Sequence, residues 1–366
     1  MEQRFQLRKN ATITIQPIDS QIYRGTYETK VLGINGQGIN ISVPFQDGRI
    51  VLVGVGTRIK VTLPGDGGMF ESEILERKLT KPQSLVISSP LAKEPSACQV
   101  IAIASGKGGV GKTTFVINAG IALAAKGQSV FIVDADLGTA NVDVLCNLNP
   151  RFNLNHIVRG EKEILDIVLE GPGGIHVVPG GSGLQTLANL DEGQMARVVR
   201  SFKTLESHAD VILIDTGAGL SRNVINFAVA ADQVIVITTP EPHSVTDAYA
   251  IIKVLDEQEK KVPVRLVINR VDSPSEAEQV GTRMVNVAKR FLTLDIEYLG
   301  YIINDQLVCR AIKNLTPAMV AYPNCSASRC FERVATRLTD RKFAPALAGR
   351  SFFDRVKELF GQRSPM

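Results

Sequence analysis

The five cysteines, Cys98, Cys146, Cys309, Cys325 and Cys330, form no C-x-x-C pair, which excludes a zinc ribbon and gives no disulfide framework. Free thiols suit a reducing cytoplasm. No apolar run approaches the ~18 to 20 residues of a membrane span, and Met1-Glu-Gln-Arg4 opens the chain with no apolar stretch behind it. Neither export by a standard signal nor a transmembrane segment is expected. Lys plus Arg at 41 against Asp plus Glu at 37 leaves +4 over 366 residues, too little to mark a nucleic-acid footprint. At 44 % hydrophobic and this length, the chain has material for two domains.

Period-two alternation of β-branched residues marks strands in the first 90 positions, at Ala11–Ile15, Gly38–Ser42, Ile50–Val53, Arg58–Thr62 and Ser84–Ser88. Turn residues lie between them, at Gly36-Gln-Gly38, Gln46-Asp-Gly48 and Pro64-Gly-Asp-Gly-Gly68. Residues 1–90 therefore read as a small all-β, barrel-like domain, and the Pro-containing stretch 91–98 as a linker. From residue 99 the pattern changes. Continuous apolar runs of strand length, Val100–Ala104, Val130–Val133, Ile175–Val178, Val211–Ile214, Val234–Ile237, Leu266–Ile268 and Tyr301–Ile303, alternate with helical stretches to about 345. Strands apolar on both sides imply an α/β domain, a mostly parallel sheet between helical layers.

The first of those runs leads into Ser105-Gly-Lys-Gly-Gly-Val-Gly-Lys-Thr-Thr114 and then a helix expected to run to Lys126, with Gly127 as its stop. This is G-x-x-x-x-G-K-[ST] in the context a P-loop requires. Gly106, Gly108, Gly109, Val110 and Gly111 would offer backbone N–H groups to phosphates at a helix N-terminus. Lys112 would reach the β and γ phosphates, Thr113 would ligate Mg²⁺ and Thr114 would approach the α-phosphate of ATP. Asp134 and Asp136 are two apart at the end of a strand, so both can face one ligand. Asp215 follows Val211-Ile-Leu-Ile214, where a Walker B carboxylate is expected, and Thr216-Gly-Ala-Gly219 behind it suits a γ-phosphate sensor.

The extra lysine, Lys107, makes the loop resemble the deviant Walker A motif of the MinD/ParA superfamily. That resemblance implies slow, Mg-dependent ATP hydrolysis in an ATP-dependent homodimer, with Lys107 crossing to the partner's nucleotide. It further implies Mg²⁺ support from Asp134 and Asp215, water positioning by Asp136, and base contacts from Asn269, Arg270 and Asp305. Ile303 stands where the family loop has proline. Asp134-Ala-Asp-Leu-Gly-Thr-Ala-Asn-Val-Asp-Val-Leu145, Pro179-Gly-Gly-Ser-Gly183 and Glu241-Pro-His-Ser-Val-Thr-Asp-Ala-Tyr249 are similar to the FlhG/FleN group of flagellar-number regulators. Flagellar assembly proteins, a GTPase or C-ring components, are the implied partners, although the D-Q-A-x-x-L-R segment that stimulates the GTPase is absent. The β domain resembles the domain preceding PilZ in flagellar brake proteins, through Ile39-Asn-Ile-Ser-Val-Pro44 and Val86-Ile-Ser-Ser-Pro90. No R-x-x-x-R clamp follows it, and no cyclic-di-GMP binding is expected.

Residues 350–363 read as a C-terminal amphipathic helix. Phe352, Phe353, Val356, Leu359 and Phe360 fall on one face, with Asp354, Arg355, Lys357 and Glu358 opposite. An aromatic face with net positive charge suits an anionic bilayer, while the same stripe could pack on the ATPase core. The first reading places the chain peripherally on the inner face of the cell membrane. The rival function is a ParA-like ATPase on DNA, or a P-loop scaffold for another cytoplasmic partner; no nucleic acid is expected.

Overall fold

The computed structural model describes residues 10–18, 25–35, 38–46, 49–51, 53–63, 69–78, 83–87, 98–136, 141–181, 191–339 and 352–361. Most of the expected linker, parts of the expected turns at 36–38 and 46–48, and all of the expected turn at 64–68 lie outside these. The chain forms two compact units, Met1–Ser96 and Ala97–Met366.

In the first unit β1 (Thr12–Pro17), β2 (Tyr27–Asn35), β3 (Gly38–Ser42), β6 (Arg58–Thr62), β7 (Met69–Lys78) and β8 (Ser84–Ile87) close an antiparallel barrel in the order β1-β2-β3-β8-β7-β6. A short hairpin, β4 (Phe45–Gln46) and β5 (Arg49–Ile50), interrupts the order. Alternation sets the inside: Ile13, Ile15, Val31, Ile39, Ile41, Ile59, Val61, Ile74 and Leu85 are buried together. The expected strand Ile50–Val53 is corrected, because Val51 and Val53 pack into the core from a loop. Closure leaves the barrel sheet no free edge to template aggregation.

The second unit is an eight-stranded sheet ordered β11-β12-β10-β13-β9-β14-β15-β16. Its strands are β9 (Gln99–Ala104), β10 (Val130–Ala135), β11 (Leu169–Glu170), β12 (His176–Val178), β13 (Val211–Thr216), β14 (Gln233–Thr238), β15 (Val264–Val271) and β16 (Ile296–Ile303). All pairings are parallel except that of the edge strand β11 with β12. Every residue of β10, β13 and β14 is buried, which is why those runs are continuous rather than alternating.

Helices cover both faces. Residues of α3 (Leu154–Arg159), α4 (Ile164–Ile167), α5 (Glu192–Glu206), α6 (Arg222–Ala230), α7 (Pro242–Asp256), α8 (Pro274–Phe291) and α12 (Phe352–Gly361) share one core with Val100, Phe131 and Val234. Residues of α1 (Lys112–Ala124), α2 (Val142–Leu145), α10 (Ala318–Ala321) and α11 (Ser326–Leu338) share the other with Ile101, Ile132 and Ile235, and α9 (Gln306–Lys313) packs on it through Leu307 and Val308. No helix among the described residues is long and apolar enough to cross a membrane.

Candidate nucleotide site

At the C-terminal end of β9 the chain turns through 105–111 into α1, a ligand position typical of open parallel sheets. Gly109 (φ 79°) and Gly111 (φ 95°) take left-handed conformations that L side chains rarely adopt, and Gly111 is the residue from which α1 starts. Gly106 is required for space, since a Cβ there would stand 2.1 Å from the Asp247 carbonyl oxygen. The loop is also tied from inside. Buried Ser105 donates its hydroxyl to the Lys107 carbonyl at 2.8 Å, and the Gly219 N–H donates to the Ser105 carbonyl at 2.9 Å.

Three carboxylates approach this loop from β10 and β13, whose register sets Asp134 beside Asp215. Asp215 is 1 % exposed; burial pushes its carboxyl up to about 7, against a hydrogen bond from Thr113 and the charge of Lys112. Its Oδ1 is buried without a hydrogen-bond partner. Burial likewise lifts Asp134 to about 6, although three backbone N–H groups favour its ionised form. Those donors are Asp136 on Oδ1 at 3.1 Å, and Asn141 and Val142 on Oδ2 at 3.0 Å each. Burial lowers Lys112, opposed by Asp215 and Asp136. Asp136 is half-buried at the mouth, where a Cβ on Gly217 would lie 3.5 Å from its Oδ1.

An orphaned, buried carboxylate oxygen beside a threonine hydroxyl is a hard-oxygen donor set that fits Mg²⁺. No group of three or more His, Cys, Asp or Glu able to hold a metal occurs among the described residues. Thr113 and Asp215 are the residues that would hold it. Asp134 takes three backbone N–H groups on its oxygens, which turns the chain into α2, and would support the shell of the ion from there.

On the base side two of the expected residues are bonded within the chain. Asn269 donates Nδ2 to the Val110 carbonyl at 2.7 Å and accepts the Arg270 N–H on Oδ1 at 3.0 Å, so its amide fastens β15 to the P-loop. Asp305 caps α9 through the Leu307 N–H at 2.9 Å and takes the Ala327 N–H at the start of α11. Arg270 remains exposed at a bulge in β15, with φ 57°, a left-handed conformation at a non-glycine residue. Lys107 is exposed on the rim, and its charge reaches Glu241, whose carboxyl is held low first by the Thr239 and Ser244 hydroxyls.

The C-terminal stripe is seated in the protein. Phe352 (1 % exposed) and Val356 (0 %) are buried, Phe352 stacking on Phe227 at 6.5 Å, and Leu359 packs against the same core. The side chains of Phe353 and Phe360 lie outside the described set. Arg355, expected on the solvent face, is also buried; it donates to Asp232 at 2.7 Å and to the Ala230 carbonyl. Glu206 accepts the Phe352 N–H at 2.9 Å and Lys203 pairs with Asp354 at 2.8 Å. In this conformation the core residues of the expected membrane face are covered by α5 and α6. Sequence reasoning missed Asp232, whose only signal was a charge directly before an apolar strand.

A P-loop opening α1, a buried aspartate behind its threonine and a second aspartate at the mouth define a P-loop ATPase of MinD/ParA type. Known proteins agree. A family model described as an AAA domain matches residues 98–268, and one described as flagellar protein YcgR matches 9–90. Antiactivator FleN of Pseudomonas aeruginosa is 39 % identical over 240 residues, covering 66 % of this chain and 86 % of that protein. Flagellum site-determining protein YlxH of Helicobacter pylori is 33 % identical over 267 residues, covering 71 % and 90 %. The septum site-determining protein MinD of Pyrococcus horikoshii, solved with Mg-ADP, superposes with a TM-score of 0.55 at 24 % identity, covering 67 % of this chain and 97 % of that one. The chain belongs to the FleN/FlhG family of flagellar regulators and carries a YcgR-type N-terminal barrel.

Proposed function

We propose that this ATPase is a nucleotide-controlled switch on flagellum number or placement, which dimerises around two Mg·ATP and docks peripherally on the inner face of the cell membrane through α12. The observation that carries the reading is the conjunction of a hydrolytic site with an amphipathic tail held by a few identifiable contacts. Lys112 and the P-loop amides bind and orient the triphosphate; Asp136, at the mouth, aligns water; Lys107, on the exposed rim, completes the partner's site. These are positioning and electrostatic tasks, as phosphoryl transfer requires.

Seated and membrane-bound tails exclude one another, because both use Phe352 and Val356. A ten-residue helix is marginal alone in water, so α12 exchanges one apolar surface for another. Two tails in one dimer bind a vesicle more tightly than one through effective concentration. The test is co-sedimentation of the full chain, and of a chain ending at Gly349, with anionic liposomes in ATP and in ADP. ATP-enhanced pelleting that disappears with the tail is expected. Pelleting in neither nucleotide would end the membrane reading and leave α12 as a core helix.

A further inference from the structure

Asn118 is a poor helix former in the middle of α1, one turn beyond Thr114, and only 2 % exposed. A buried amide persists where both of its ends are bonded, and here both are. Nδ2 donates to the Thr114 carbonyl at 2.8 Å, and Oδ1 accepts the Met319 N–H at 2.9 Å, 201 positions away. Met319 is the second residue of α10, too early in the helix for its N–H to find an intrahelical acceptor, whereas the Val320 and Ala321 N–H groups bond the Pro317 carbonyl. Pro317, at the cap position, makes no side-chain cap bond. Asn118 therefore supplies from α1 an acceptor that α10 lacks locally. A tight cavity lined by Thr114, Ile117, Asn118, Val308, Ile312 and Pro317 marks where α1 meets α9 and α10. The N-terminus of α9 in turn begins at Asp305, at the C-terminal end of the sheet.

We propose that Asn118 is a positioning residue for nucleotide binding: touching no phosphate, it holds the first turn of α1 in register with the α9–α10 wall. This rests on the reading that the base lies between Arg270 and the start of α9. Asn118→Leu in the full chain, near-isosteric but unable to bond, is expected to weaken mant-ATP binding about tenfold and raise KM similarly, with kcat within about twofold. Mant-GTP binding changes less, so the preference for ATP shrinks. A folded Asn118→Leu chain that binds ATP within twofold of the unsubstituted protein, or that loses kcat at unchanged KM, overturns the proposal. Should that variant not fold, hydrogen exchange in the unsubstituted chain decides: Mg·ATP slows the amides of 318–321 if the wall is registered by the nucleotide, and unchanged exchange refutes it. Equal affinity of the unsubstituted chain for ATP and GTP would sink only the base-side reading, since the tenfold loss would still stand.

Discussion

Asp215 and Asp134 titrate near neutrality because burial, rather than any neighbour, dominates their environment. Both folded values lie above the unfolded carboxylate range, so the stability they favour is present at acid pH and is lost as pH rises through about 6 and 7. The nucleotide-free chain should therefore melt roughly 5 °C lower at pH 8 than at pH 5 in the transition of the ATPase unit. Mg·ATP should flatten that slope, because a cation beside Asp215 favours the ionised form. Scanning calorimetry over the two pH values, with and without nucleotide, checks this; equal slopes would disconnect the carboxyls from stability. Asp136 has a separable role. Asp136→Ala should cut turnover by roughly 100-fold or more while mant-ATP binding stays within about threefold, because water alignment is lost and the phosphate cradle is not. Normal turnover would remove Asp136 from the mechanism. The positions of the P-loop, Asp134 and Asp215 were legible because each follows directly on a strand-length apolar run, and Asp136 because it stands two residues beyond Asp134 on an extended chain. The tasks of Asn269, Asp305 and Asn118 were not, because each is defined by a bond to backbone elsewhere in the chain.

Among elements, α12 shows how far periodicity reaches. It located a helix and its apolar stripe to within a residue or two, but an apolar stripe has the same sequence signature whether lipid or protein covers it. What holds the seated state is Arg355, whose partner Asp232 stands 123 positions earlier and also accepts the Val100 N–H at the start of β9. Arg355→Ala would leave Asp232 buried without its ion-pair partner, at a cost of about 3 kcal/mol if the tail stayed seated. Burying Phe352 and Val356 offsets about 1.5 to 3 kcal/mol each, a comparable sum, so the variant's tail should spend a large share of its time unseated. Hydrogen exchange of residues 352–361 should then approach that of unstructured chain, and retained protection would show the ion pair dispensable. Lys260 adds a pH term. Burial first, then Arg355, lowers it to about 8, while Asp232 and Glu358 oppose. With the tail away its pKa rises, so the unseated state binds more protons above pH 8 and seating tightens between about pH 8 and 10. Tail protection, corrected for intrinsic exchange, should be greater at pH 9 than at pH 7, and Lys260→Met should abolish the difference.

At the scale of the whole chain, the change from alternating to continuous hydrophobicity near residue 98 carried the division into a barrel and an α/β unit. It did not carry every strand. Met69–Lys78 keeps its inward alternation only as far as Ile74 and then runs Leu75, Glu76, Arg77, Lys78, and the edge pair Leu169–Glu170 is too short to have a period at all. The physical division is firmer than its sequence trace: among the described residues, the barrel core contains only positions before 88, and the two sheet-face cores only positions from 98 on. Units with separate cores unfold as separate cooperative transitions, and a ligand raises only the transition of the unit that binds it. Calorimetry of the full chain should thus show two transitions. Saturating Mg·ATP, at about 100 times Kd, should stabilise the larger by about 2.7 kcal/mol and leave the smaller unmoved. A chain comprising residues 97–366 should keep kcat and KM within about twofold of the full protein, since every residue assigned to phosphate, metal or water lies inside it. A single transition shifting as one, or ATPase activity lost with the barrel, would mean that the β unit contributes to the site itself.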